Sequence, residues 1–75
     1  MARMNLGSRI AAWRMARGMT QRELAKRVGV TVPAVYHWEN GEAVPRVKNV
    51  EKIASVCGVS VRRFYGEVPK PRARA

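Results

Sequence analysis

The stretch Gln21–Asn40, QRELAKRVGVTVPAVYHWEN, decides the fold. It holds two short segments of helical periodicity around Gly29-Val30-Thr31. The first opens on Thr20-Gln21-Arg22-Glu23, a capping box in which the Thr20 hydroxyl bonds the Glu23 amide while the Glu23 side chain reaches back. It turns Leu24 and Val28 inward and stops near Gly29, a residue that accepts the left-handed conformation that ends helices. The second segment has Thr31 as its N-cap and runs from about Val32 to Asn40. Pro33 is tolerated there because first-turn amides lack intrahelical acceptors. Helices joined by so tight a glycine turn cross steeply. Ala25 is small enough to let them approach, Val30 plugs the corner, and Val35 and Trp38, at i and i+3, face inward.

Sterics and periodicity therefore predict a helix-turn-helix. The opposite face of its second helix carries Pro33, Tyr36, His37 and Asn40 at i, i+3, i+4 and i+7, with Val32 beside them. This stripe points away from the core. In such a motif the second helix lies in the DNA major groove and its N-terminal residues meet base edges. Val32, Pro33, Tyr36 and His37 are thus the candidate base-contacting residues.

Outward from this unit, glycines punctuate the chain at Gly18, Gly29, Gly41, Gly58 and Gly66, each after a segment with helical periodicity. Five short helices follow. The first spans about Leu6 to Arg17, with Leu6, Ile10 and Trp13 on one face. The fourth spans about Arg46 to Cys57, with Val47, Val50, Ala54 and Cys57 on one face. The fifth runs from a Ser60 cap to about Tyr65. Residues 1–5 read as a flexible N-terminal arm, 6–66 as the domain, and 67–75 as a disordered basic tail rich in Pro and Arg. The fold class is all-α.

The chain has 75 residues, enough for one domain that buries roughly 60% of its unfolded surface. That is too small for an enzyme with a deep, walled cleft. Fifteen Lys and Arg against five Asp and Glu give a net charge of +10, a field that attracts polyanions. Nucleic acid is the first candidate partner and an anionic membrane surface the second. A hydrophobic content of 47% argues against wholesale disorder. The single cysteine, Cys57, permits no internal disulfide and suits a reducing cytoplasm. The apolar run Ile10–Trp13 is too short for a signal-peptide core, and no run approaches a membrane span, so a cytoplasmic protein with no membrane partner is expected.

Several residues carry the likeness to a known family: Leu6-Gly7-Ser8-Arg9-Ile10, Trp13-Arg14, Gly18-Met19-Thr20-Gln21, Leu24-Ala25, Gly29-Val30-Thr31, Glu39-Asn40-Gly41, Pro45, Ile53-Ala54 and Gly58-Val59-Ser60. Together, at these spacings, the chain resembles the Cro/repressor-type (XRE-type) helix-turn-helix family over about Leu6 to Tyr65. The resemblance implies a compact five-helix, lambda-repressor-like domain. It implies binding to double-stranded DNA, usually as a homodimer on a palindromic operator. It also implies that Gln21 contacts phosphate and braces the recognition helix, and that Arg14 and Glu39 form a buried structural ion pair. Val32 and Pro33 depart from the family's usual Ser, Gln or Arg; being apolar, they suit thymine methyls rather than hydrogen-bonding edges. Tyr36 replaces a frequent Ser or Thr with a ring long enough to reach a base or phosphate.

The remaining residues sort by spacing. Arg22 lies near the backbone-facing side of the second helix, and Arg46 and Lys48 open the fourth, where family members meet the DNA backbone. With Gln21 and Asn40 they are the candidate phosphate contacts. Arg9, Arg17, Lys26 and Arg27 read as solvated charge. Trp13, Trp38, Phe64 and Cys57 read as core. His37, the only histidine, lacks the spacing of a metal ligand, so neither metal nor cofactor is expected. No nucleophile–base pair or phosphate-cradling glycine loop suggests an enzyme. The leading function is a sequence-specific transcriptional regulator of repressor type. The alternative is the antitoxin of a toxin–antitoxin pair that represses its own operon, which would add a toxin protein as partner. A cationic membrane-active or RNA-binding peptide satisfies the charge but does not call for the caps and the turn.

Overall fold

The computed structural model describes residues 4–70. They form five helices: α1 (Leu6–Ala16), α2 (Gln21–Val28), α3 (Val32–Glu39), α4 (Val47–Val56) and α5 (Val61–Gly66). The expected arm meets the fold at Asn5, whose Oδ1 accepts the Ser8 amide at 2.8 Å and caps α1. Residues 1–3 and 71–75, parts of the expected arm and tail, lie outside the described residues.

Local chemistry sets the other helix starts. The capping box of α2 is complete: Thr20 Oγ1 accepts the Glu23 amide at 3.0 Å, and Glu23 Oε1 accepts the Thr20 amide at 2.9 Å. Thr31 Oγ1 accepts from Ala34 at 3.3 Å and Ser60 Oγ from Arg63 at 3.1 Å. The start of α4 differs, because its N-cap, Arg46, makes no side-chain cap bond. At the end of α2, Gly29 has φ +88°, which lets the chain reverse within two residues and enter α3. Gly66 behaves otherwise than expected. It is the last residue of α5, and the helix ends at Glu67 by a change to extended backbone (φ −116°, ψ 150°).

The core is one cluster drawn from every helix. Ile10, Leu24, Val35, Ile53 and Phe64 are fully buried, and Trp13, Ala25, Trp38 and Cys57 nearly so. The α3 helix packs against both α1 and α2, while α4 joins α2 to α5. One expectation for α4 fails. Its buried stripe is Val50, Ile53 and Ala54, continued by Cys57, whereas Val47 is 76% exposed. The core ends one turn short of Val47, the first residue of α4.

Contrary to expectation, Arg9 in α1 and Arg17 at its C-cap are not free solvated charges. Arg9 Nη1 donates to the carbonyls of Phe64 (3.0 Å) and Glu67 (2.6 Å), and Trp13 Nε1 donates to the same Phe64 carbonyl at 3.0 Å. Arg17 Nε donates to the Cys57 carbonyl at 2.8 Å, with its guanidinium 5.1 Å from the centre of the Trp13 ring. Cations at helix C-termini satisfy orphan carbonyls and complement the helix dipole. These two arginines fasten the ends of α5 and α4 onto α1.

Candidate nucleic-acid interface

The site is built around Glu39, the last residue of α3. Its carboxylate accepts two hydrogen bonds from Arg14, from Nε at 2.7 Å and from Nη2 at 3.0 Å. Gln21 Nε2 donates to the same carboxylate at 3.0 Å, and Arg14 Nη1 donates to the Met19 carbonyl at 2.8 Å. The two charged side chains are only 13% and 7% exposed. A bidentate guanidinium–carboxylate pair fixes angle as well as distance. One carboxylate thus locks the start of α2 and the last turn of α1 to the end of α3. No buried side-chain nitrogen or oxygen among the described residues lacks a partner. The ion pair inferred by resemblance is present, and so is the brace from Gln21.

Gly7 completes the lock. A β-carbon there would collide with the Trp38 carbonyl oxygen and come within 2.8 Å of the Glu39 carbonyl oxygen. The first turn of α1 therefore touches the last turn of α3 backbone to backbone.

With Val35 and Trp38 buried below, the outer face of α3 is open among the described residues. Pro33, Tyr36, His37 and Asn40 are all exposed, as the spacing predicts. Val32 is half-buried, packed against the core with part of its surface open. The Tyr36 and His37 rings meet edge to face, 5.6 Å between centres. His37 Nδ1 lies 2.8 Å from Oε1 of Glu42, in the loop after α3. Asn40 Nδ2 donates one hydrogen to the Tyr36 carbonyl at 2.9 Å, leaving its second for a ligand.

The candidate phosphate contacts flank this helix. Arg22, Arg46 and Lys48 are exposed, and Gln21 is half-buried at the head of α2. The amides of Asn49 and Val50 both bond the Arg46 carbonyl, at 2.8 and 3.0 Å. The earlier amides of α4, at Val47 and Lys48, meet no cap from Arg46. An open helix start between two cations suits an anion.

Elsewhere two titratable groups are shifted by their surroundings. The Thr20 amide and hydroxyl hold the Glu23 carboxyl below its ordinary value. Burial pushes the Cys57 thiol up, against a smaller opposite pull from Arg17. Among the described residues no group of three or more His, Cys, Asp or Glu comes together to hold a metal ion, and no helix is long and apolar enough to cross a membrane. Glu42 escaped the sequence reading because helical periodicity does not extend into a loop. Its only trace was an acid five residues after the histidine.

A small helical domain with a braced, outward-facing second helix is a helix-turn-helix domain. The chain belongs to the helix-turn-helix family of the Cro/repressor (XRE) type, whose family model matches residues 10–64. This is a family of DNA-binding transcriptional regulator domains, not an enzyme class. The HTH-type transcriptional regulator PuuR of Escherichia coli (strain K12) is 31% identical over 65 residues, 87% of this chain and 35% of that protein. The chain therefore spans about a third of that relative's length. Among solved structures, the DNA-binding domain of the P22 c2 repressor superposes with a TM-score of 0.82 at 29% identity, covering 91% of each chain. The P22 c2 repressor in complex with a synthetic operator gives a TM-score of 0.72 at 29% identity, covering 88% of this chain and 97% of that one.

Proposed function

We propose that this protein is a sequence-specific regulator of transcription, of repressor type, that lays α3 in the major groove of duplex DNA. The observation that carries this reading is the exposed stripe Pro33, Tyr36, His37 and Asn40 on a helix whose other face and C-terminal end are locked. A rigid helix with a free face suits base readout, because each side chain starts from a fixed point. Tyr36 and His37 make the direct contacts, and Pro33 and the open part of Val32 pack on thymine methyls. Gln21, Arg22, Asn40, Arg46 and Lys48 hold the phosphates and set the register. The likeness to a repressor solved on its operator supports the same docking.

Two copies acting together on a palindromic site would place their half-sites about 34–36 Å apart. Val61 and Tyr65 on α5, 37% and 48% exposed, offer apolar surface for that pairing. The protein would act in the cytoplasm, on the chromosome.

The test is a titration of labelled duplex carrying the gene's own upstream region, against a scrambled duplex, at several salt concentrations. We expect at least about a thousandfold preference for the upstream region and a steep loss of affinity with salt. His37→Ala should lower the preference while leaving scrambled-DNA binding unchanged. Equal affinity for both duplexes, repeated with sites selected from a random library, would overturn the reading.

A further inference from the structure

We propose that Glu42 is a specificity-determining residue, which sets the hydrogen-bonding character of the His37 edge that α3 offers to a base. The inference rests on the reading of α3 as the base-reading helix. Nothing in the helix-turn-helix periodicity points to Glu42; the geometry does. Its carboxylate reaches His37 Nδ1 at 2.8 Å. The loop carrying it is tied to the same histidine, since the Glu42 and Ala43 amides both donate to the His37 carbonyl, at 2.9 and 3.3 Å. The Tyr36 ring closes on the imidazole edge to face, 73° between planes. The half-exposed ring is thus met by Tyr36 from α3 and by Glu42 from the loop.

A carboxylate only accepts hydrogen bonds. Nδ1 must therefore carry a proton to meet it, and Nε2 is left as the free polar atom of the ring. In the neutral ring Nε2 is then a bare acceptor. It matches the N4 amino group of cytosine or the N6 amino group of adenine. The other neutral tautomer would carry its proton on Nε2 and match N7 or O6 of guanine instead. Without a carboxylate at position 42, the neutral ring can take either tautomer and the distinction is lost. Glutamine at 42 keeps size and reach but can donate or accept, so it releases the constraint on Nδ1.

The experiment has two arms. In the free protein at about pH 8, long-range nitrogen–proton NMR of the imidazole should show the Nδ1–H tautomer, and Glu42→Gln should show a mixture. A predominantly Nε2–H ring in the unsubstituted protein overturns the inference without reference to DNA. In the second arm, duplexes are selected from a randomised library by the protein and by His37→Ala. The base pair whose preference vanishes in His37→Ala is the one His37 reads. Duplexes varied at that pair are then titrated with each protein at about pH 8. We expect cytosine or adenine to be favoured over guanine by about fivefold, the worth of one neutral hydrogen bond. Glu42→Gln should be indifferent between them. Retention of the full pattern by Glu42→Gln, or no base pair affected by His37→Ala, overturns the role of Glu42. Selection of no sequence at all by the unsubstituted protein overturns the DNA reading itself, and the specificity role with it.

Discussion

Glu39 is the residue on which most depends. It is 7% exposed and accepts from both Arg14 and Gln21. Removing one partner of a desolvated pair leaves the other charged and unmatched, which costs about 3–5 kcal/mol. Glu39→Ala should therefore lower the free energy of unfolding by about that amount in a urea titration; a loss under about 1 kcal/mol would mean that the pair is solvated and behaves as a surface bridge. Glu23 acts at the same scale but through pH. Its folded carboxyl titrates below the ordinary value of 4.5 because Thr20 holds the ionised form. A depressed acid contributes stability above its unfolded value, and that contribution fades as pH falls through the folded one. The stability gap between the unsubstituted protein and Glu23→Ala should thus be full at neutral pH and shrink progressively below about pH 4.5. A gap constant down to about pH 3 would count against the capping assignment.

At the scale of elements, the close approach of α1 to α3 depends on Gly7. Alanine there would gain helix propensity, up to about 1 kcal/mol in a helix interior and less in a first turn. Against this stands a methyl forced onto the carbonyls of Trp38 and Glu39, where overpacking costs about 1–3 kcal/mol. The clash wins, because backbone carbonyls in a packed helix end cannot swing aside. Gly7→Ala should be destabilised by about 1–2 kcal/mol, read as a lowered urea midpoint at unchanged slope; equal or greater stability would show that α1 can slide on α3. The elements themselves were legible because their signals are local. Thr20 and Glu23, Thr31 before Pro33, and Gly29 each specify a boundary within four residues. The stripe of α3 was legible for the same reason, since one helical period orders all its members. The roles of Arg9, Arg17 and Glu42 were not legible. Each finds its partner on another element or in a loop, at a distance along the chain that no periodicity encodes. Val47 misled because an apolar residue in register continues a pattern past the point where the core supplies anything to bury it against.

At the scale of the whole molecule, the five acids and fifteen bases are used unequally. Glu23, Glu39, Glu42 and Glu67 each have a local partner. The exposed cations Arg22, Arg46 and Lys48 have no ion-pair partner among the described residues. A phosphate contact releases counterions, and the salt slope of binding counts such contacts at about 0.9 each. Lys48→Ala should weaken binding to matched and scrambled duplex alike, and flatten the slope by about 0.9 per bound chain. An unchanged slope would take Lys48 off the DNA.

The arginines of α1 have a consequence for how the molecule opens. Arg9, Arg14 and Arg17 fasten the trailing ends of α5, α3 and α4 respectively. Short helices ordinarily fray from their ends, independently and at low cost. Here fraying at three ends should require the release of a side chain rooted in α1 or at its C-cap. Amide hydrogen exchange at the C-terminal turns of α3, α4 and α5 should then follow the exchange of α1 in a single cooperative unit. A domain built in this way should have no half-open form that keeps α3 in place: it offers the whole outer face of α3 or none of it.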